Sequence, residues 1–106
     1  MTPDNLFAAL PDRPDAEVIE DILRSPHVRI ERIVSHGQRS PASGWYDQDE
    51  NEWVLLLAGR ARLVFADGSR CELSAGDYLH IPAHRQHRVD WTDPDGVTVW
   101  LAVFYR

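Results

Sequence analysis

Two short stretches of this sequence gather side chains that could bind a metal ion or move a proton. The first, "WYDQDENEW" (residues 45–53), places four acids and a glutamine among three aromatic residues. The second, "HIPAHRQH" (residues 80–87), contains three histidines. Carboxylate and imidazole groups bind divalent cations and also act as general acids and bases. Either chemistry requires a fold that brings the two stretches together.

The elements that must position these stretches are predicted to be β-strands. From residue 28 onward, short apolar or alternating runs are separated by turn residues, including the Asp67-Gly68 pair that is typical of a tight hairpin. About seven short strands are expected in this part of the chain. The pattern predicts an all-β fold, a small antiparallel sandwich or barrel whose lumen can hold one ligand.

One amphipathic helix is predicted ahead of the barrel. Asp12 is a suitable N-cap, Pro14 falls in the first turn, and Ser25-Pro26 ends the pattern. Four apolar residues recur between them at helical spacing: Val18, Ile19, Ile22 and Leu23. We therefore expect residues 1–27 to form a lead and a helix, and residues 28–106 to form the barrel domain.

Composition restricts the partners and the compartment. The chain has 11 basic and 17 acidic residues and a net charge of −6, so no basic patch for nucleic acid is visible. Its apolar runs are too short to cross a membrane, and its first residues lack the pattern of a secretory signal. Cys71 is the only cysteine, which suits a reducing compartment. We expect a cytoplasmic protein that binds neither nucleic acid nor membranes.

The spacing within the two stretches resembles the motifs of the cupin superfamily. The second cupin motif is a glycine, five residues, a proline, one residue, a glycine, two residues and a histidine. Gly76, Pro82 and His87 fit this spacing, and His84 replaces the second glycine. The resemblance covers residues 28–105 and implies a jelly roll, also called a double-stranded β-helix.

The first cupin motif is present only in part. It ends in a glutamate, six residues and a glycine, which Glu52 and Gly59 reproduce. Cupins usually open this motif with His-x-His, whereas this chain has Tyr46 and Gln48 at those places, or Trp45 and Asp47 if one more residue intervenes. The sequence also resembles that of a subgroup of short bacterial cupins, and this resemblance does not indicate an activity.

A metal site is the first hypothesis that the resemblance implies. Its ligands would be the side chains of Gln48, Glu52 and His87, with Tyr46 as a further ligand or a proton donor. One histidine among oxygen ligands suits a divalent transition metal such as iron, manganese, nickel or zinc better than copper. The alternative is a site without metal, filled by water and hydrogen bonds.

Three functions stay open at this point. The first is a metal-dependent enzyme of oxygenase or isomerase type that acts on a small organic molecule. The second is a metal-free binding or sensor barrel. The third is an enzyme in which Tyr46 and His87 form an acid–base pair, as in epimerase-like relatives of the superfamily.

Three further expectations concern the ligand and the assembly. Gln48, His84 and Trp91 are the candidate ligand-binding residues. Trp91 follows His87 by four residues on a predicted strand and should form a wall of the lumen, while His84 should lie at its mouth. The apolar stripe of residues 97–105, together with the cupin resemblance, predicts a homodimer.

Overall fold

The computed structural model describes all residues from 1 to 106 and contains only β-strands as regular secondary structure. The strands are β1 (Val18–Arg24), β2 (Val28–Ser35), β3 (Asn51–Ala58), β4 (Arg60–Phe65), β5 (Arg70–Ser74), β6 (Tyr78–Ile81), β7 (His87–Thr92) and β8 (Thr98–Tyr105). No helix is present that is long and apolar enough to cross a membrane. The predicted all-β class is confirmed.

The strands form two antiparallel sheets. The larger sheet has the order β1-β2-β8-β3-β6, and the smaller has the order β5-β4-β7. β8 lies at the centre of the larger sheet, where Trp100 is opposite Ile33 of β2 and Leu56 of β3. The two sheets enclose the core and make the jelly roll that the cupin resemblance implies.

The core is built from residues that alternate along the inner faces of both sheets. Ten of them form one buried cluster: Val54, Leu56, Ala61, Leu63, Phe65, Leu73, Ile81, Trp100, Ala102 and Phe104. Glu52 and His87 lie on the same inner faces and are also buried. The barrel therefore holds two ionisable groups against an apolar core.

The predicted N-terminal helix is wrong, because most of its segment forms strand β1. Val18 pairs with Val34 of β2 and Ile19 with Ile33, and a bulge follows between Asp21 and Leu23. The bulge inserts one residue into β1 and interrupts the alternation of its side chains between the two faces of the sheet. The apolar residues of β1 are therefore spaced as they would be in a helix. The free edge of β2 favours pairing, and β-branched Val and Ile suit a strand.

The domain boundary predicted between residues 27 and 28 stays a prediction. The strands on either side of it, β1 and β2, pair with each other within the larger sheet. Residues before β1 also contact this sheet, since the guanidinium of Arg32 donates hydrogen bonds to the carbonyl oxygens of Leu6 and Ala8.

The outer face of the larger sheet carries a continuous apolar row. Val103 of β8 is opposite Ile30 of β2 and Trp53 of β3, and Leu23 of β1 is opposite Ile30. The ring of Trp53 also contacts that of Tyr78 at a centroid distance of 5.5 Å. Leu23 and Tyr78 are exposed, so the row, which we call the outer apolar face, is open to solvent at its ends.

Candidate functional site

A cavity of about 650 Å³ lies between the two sheets. Much of its wall is apolar and includes Val54, Leu63, Val89 and Phe104. Four polar side chains from the two chemical stretches also line it: Tyr46, Gln48, Glu52 and His87. An apolar pocket with a few converging polar groups is the usual form of a small-molecule site.

The loop between β2 and β3 brings Tyr46 and Gln48 to this cavity. It runs beside β7, where the backbone N–H of Tyr46 donates to His87 O at 2.8 Å and that of His87 donates to Tyr46 O at 3.2 Å. Farther along, the backbone N–H of His84 donates to Gln48 O at 2.7 Å. These bonds join the two motifs, so the first motif is held although residues 47–50 are not part of a strand.

Gln48 and His87 both lie beside the carboxylate of Glu52, Gln48 within hydrogen-bonding distance and His87 within ion-pair distance. The amide nitrogen of Gln48 donates to Glu52 Oε1 at 3.0 Å, and His87 Nε2 lies 3.6 Å from the same oxygen. The other ring nitrogen, His87 Nδ1, is 2.9 Å from Arg85 O. Glu52 is 9% exposed and His87 is 5% exposed, so solvent screens these interactions weakly.

The partners of His87 determine its protonation. A carbonyl oxygen only accepts hydrogen bonds, so Nδ1 carries a hydrogen towards Arg85 O. Burial alone lowers the pKa of His87, but the neighbouring carboxylate of Glu52 and the hydrogen bond to Arg85 O act in the opposite sense, and the pKa is raised above 6.5. The carboxylate of Glu52 thus stabilises the protonated form of the ring.

Tyr46 lies next to this pair. Its ring centroid is 5.7 Å from that of His87, and half of the residue is exposed. Phe65 packs on His87 with ring centroids 6.2 Å apart. The imidazole is thus held between an aromatic core residue and a phenol that is open to the cavity, with which a ligand could form a hydrogen bond.

His84 does not line the cavity. Its side chain is 68% exposed and its Nδ1 lies 2.7 Å from Asp47 Oδ1, a contact that, with the hydrogen bond from Gln86, lowers the pKa of Asp47. The backbone φ of His84 is +65°, in the left-handed region that favours glycine. This conformation explains why the motif has a glycine at the place that His84 occupies.

Trp91 also lies away from the cavity. A register shift in the pairing of β4 with β7 makes Leu63 the partner of Val89 and Arg62 the partner of Trp91. The extra residue on β7 reverses the alternation, so Val89 faces the cavity while Trp91 lies on the other face with Arg62, beside a smaller hollow. The sequence predicted that Trp91 shares a face with His87, because residues four apart lie on the same face of a regular strand.

Sequence reasoning missed the wall that β1, β2 and the following loop contribute. Arg29, Glu31 and Ile33 alternate along β2 and line the cavity, a period-two signal that could have been found. Arg29 is neutralised by Glu31 at 3.1 Å and by Glu50 at 2.9 Å. Arg39 also lines the cavity, and no sequence pattern pointed to it.

The residues present do not fit a divalent transition metal as they are arranged. No group of three His, Cys, Asp or Glu side chains converges on one point. Glu52 and His87 supply only two strong ligands, and the amide group of Gln48 directs a hydrogen, not a lone pair, towards Glu52. Two strong ligands are fewer than the three protein ligands that a catalytic metal site usually has.

Fold and motif geometry together define a cupin-type barrel with an altered ligand set. The family profile described as Cupin domain matches residues 32–104. The chain therefore belongs to the cupin family. No curated protein matches it significantly.

Solved structures agree with this family. The chain is 42% identical to a provisionally assigned mannose-6-phosphate isomerase from Ralstonia eutropha JMP134, with a TM-score of 0.93 and coverage of 99% of this chain and 98% of that one. A Cupin 2 conserved barrel domain protein from Salinispora arenicola CNS-205 is 25% identical, with a TM-score of 0.72 and coverage of 100% and 89%. A cupin superfamily protein from Desulfitobacterium hafniense DCB-2 is 21% identical, with a TM-score of 0.75 and coverage of 91% and 83%.

Proposed function

We propose that this cupin is a small-molecule isomerase in which Glu52 and His87 transfer protons without a metal ion. The observation that carries the proposal is the buried contact of 3.6 Å between His87 Nε2 and Glu52 Oε1 at the wall of the cavity. A carboxylate and an imidazole placed beside the same bound substrate can act as base and acid in the same step. The name of the relative that is 42% identical also points to an isomerase.

The proposed reaction moves hydrogen between neighbouring carbons of a hydroxy-carbonyl compound. The carboxylate of Glu52 takes the proton from the carbon that bears the hydroxyl group, and the imidazolium of His87 gives its Nε2 proton to the carbonyl oxygen. The product of this step is an enediol. His87 then removes the proton of the other hydroxyl group, and Glu52 returns its proton to the neighbouring carbon, which restores both groups.

The neighbours of the pair support this cycle. The hydrogen bond from Gln48 orients the carboxylate of Glu52, and the bond to Arg85 O fixes the ring of His87. Tyr46, placed beside His87, can hydrogen-bond a substrate oxygen or exchange a proton with it, as the acid–base hypothesis requires. The apolar residues beside the pair lower the local dielectric constant, which strengthens the electrostatic interactions of the pair with a bound substrate.

Exchange in heavy water tests the proposal. Protein purified without a histidine tag should contain no stoichiometric metal and should replace the carbon-bound hydrogen of an aldose or ketose, or its phosphate, by deuterium, as followed by proton NMR. A metal that is lost in both Glu52→Ala and His87→Ala would instead support the metal site at Gln48, Glu52 and His87. Binding without exchange would support the sensor hypothesis.

A homodimer remains part of the proposal, because the outer apolar face is suited to a second copy of the chain. The face runs from Leu23 of β1 across β2, β8 and β3 to Trp53, whose ring contacts that of Tyr78 on β6. A cytoplasmic location is proposed with it, and the half-buried free thiol of Cys71 suits a reducing compartment.

A charge at the centre of this face should prevent dimer formation. Val103→Glu places a carboxylate between Ile30 and Trp53, where burial against a partner would weaken association by about 100-fold or more. Light scattering after gel filtration should then give the mass of one 12.1 kDa chain in place of two. Val64→Glu is the matched control, since Val64 of β4 lies between Arg70 and Arg88 in the other sheet. A wild-type monomer, or a dimeric Val103→Glu variant, would contradict the assignment.

A further inference from the structure

Arg39 is an exposed residue that lines the cavity and forms no ion pair within the protein. None of the nine ion pairs of the structure includes it. The other arginine of the cavity wall, Arg29, is held by two glutamates. A guanidinium group stays charged at every pH that a folded protein meets, and its fork of N–H groups matches the oxygens of a carboxylate or phosphate.

The residues on both sides of Arg39 fix its backbone. The side-chain amide of Gln38 donates to Pro14 O at 2.9 Å, and Thr92 Oγ1 donates to Gln38 O at 2.5 Å. Ser40 makes two bonds to Val89 of β7, one from its backbone N–H at 2.8 Å and one to its hydroxyl oxygen at 3.1 Å. Arg39 thus stands on an anchored segment, so little backbone entropy is lost when its side chain binds a ligand.

The pairing with β7 relates Arg39 to the proton-transfer pair. Ser40 bonds to Val89, Tyr46 bonds to His87, and two residues of a strand span about 7 Å. We propose that Arg39 binds an oxyanion group, a carboxylate or a phosphate, on a small hydroxylated substrate whose other end reaches Glu52 and His87. The inference that one end of the substrate reacts at Glu52 and His87 rests on the proposed function. The inference that the other end is an anion rests on Arg39 alone.

The acidic residues of the cavity fit the same substrate class. Asp15 and Glu17 line the wall and form no ion pair, and Glu17 accepts a hydrogen bond of 3.2 Å from the hydroxyl of Ser35. Carboxylates accept hydrogen bonds from hydroxyl groups, so they suit the body of a hydroxy acid or sugar phosphate.

Titration with two simple anions tests the role of Arg39. Inorganic phosphate and glycolate represent the two oxyanion classes, and calorimetry or amide NMR shifts measure their binding in the millimolar range. Arg39→Gln should weaken the preferred anion by about 10-fold or more. Arg70→Gln is the control, because Arg70 is exposed, lies outside the cavity and carries the same charge. Failure of both anions to bind, or equal binding by Arg39→Gln and wild type, would overturn the proposal.

Two outcomes separate this inference from the proposed function. If the anion binds through Arg39 but no hydroxy-carbonyl compound exchanges its hydrogen, the isomerase proposal fails and the anion site stands. If exchange is observed and is equally fast in Arg39→Gln for phosphorylated substrates, the anion site fails and the isomerase proposal stands. Anion binding should persist in His87→Asn, because His87 contributes to the reacting end only.

Discussion

Replacing His87 by asparagine is expected to lower the rate of substrate hydrogen exchange by about 10²- to 10⁴-fold, the usual contribution of a general acid or base. Asparagine keeps a polar group beside Glu52 but cannot accept and return a proton. The measurement is loss of the carbon-bound proton signal in heavy water, followed at saturating substrate. Substrate affinity should change much less than the rate, because the substrate is held mainly by the cavity wall and Arg39.

Two further variants make this result specific. Glu52→Gln should also slow exchange strongly, since it removes the carboxylate that takes the carbon-bound proton. His80→Asn should exchange like wild type, because His80 is exposed and its Nε2 pairs with the hydroxyl of Tyr105, away from the cavity. Exchange by His87→Asn within about threefold of wild type, well below the contribution of a general acid, would contradict the assigned role.

Replacing Gly59 by alanine is expected to destabilise the fold by about 3 kcal/mol or more. Gly59 joins β3 to β4 with a φ of +89°, a conformation that disfavours any side chain. A Cβ atom there would also lie 2.6 Å from Thr98 Cα and 2.9 Å from Thr98 Cβ. Thr98 is fully buried and pairs with Ser35 of β2, so it cannot move aside without disturbing the central strand.

Gly68→Ala is the matched control for this effect. Gly68 has the same φ of +89°, but nothing lies within 4 Å of the position that an added Cβ atom would occupy. It should therefore cost only the backbone strain, about 1–2 kcal/mol. Thermal or urea denaturation followed by circular dichroism measures both variants. Equal losses of stability would show that the contact with Thr98 does not contribute.

The strands were predictable because their apolar patterns and turn residues are local. All seven predicted strands from β2 to β8 are present, and the cupin resemblance correctly implied the jelly roll. Strand β1 was mistaken for a helix because its bulge changes the apolar period, which only pairing with β2 reveals. The bulge on β7 similarly moved Trp91 to the outer side of its sheet.

The site was predictable only in part. Gln48, Glu52 and His87, which motif spacing grouped together, all line one cavity, although Gln48 lies outside the strand that carries Glu52. The chemistry of these side chains depends on interatomic distances, such as that between His87 and Glu52. The spacing of motif residues in the sequence does not give such distances. Arg39 lies in a loop without a motif, and its position follows from bonds to Pro14, Val89 and Thr92 that are distant in sequence.

The coupling of His87 to Glu52 has a consequence for stability. The pKa of His87 is higher in the folded protein than its unfolded value of about 6.5, so the folded state binds the proton more tightly. The stabilisation from the pair is fully present below pH 6.5 and is lost as the pH rises through the folded pKa. The stability of wild type relative to His87→Asn should therefore fall with rising pH in this range.

Titration of the His87 ring by nitrogen-15 NMR tests directly whether Glu52 raises the pKa of His87, the coupling on which the proposed proton transfer depends. We expect the ring to titrate with a pKa above 6.5 in metal-free wild type, with both nitrogens protonated below that pKa. Glu52→Gln should lower the pKa, because it removes the charge that favours the imidazolium. A His87 ring whose pKa lies below 6.5, or whose pKa is unchanged by Glu52→Gln, would contradict the coupling of His87 to Glu52.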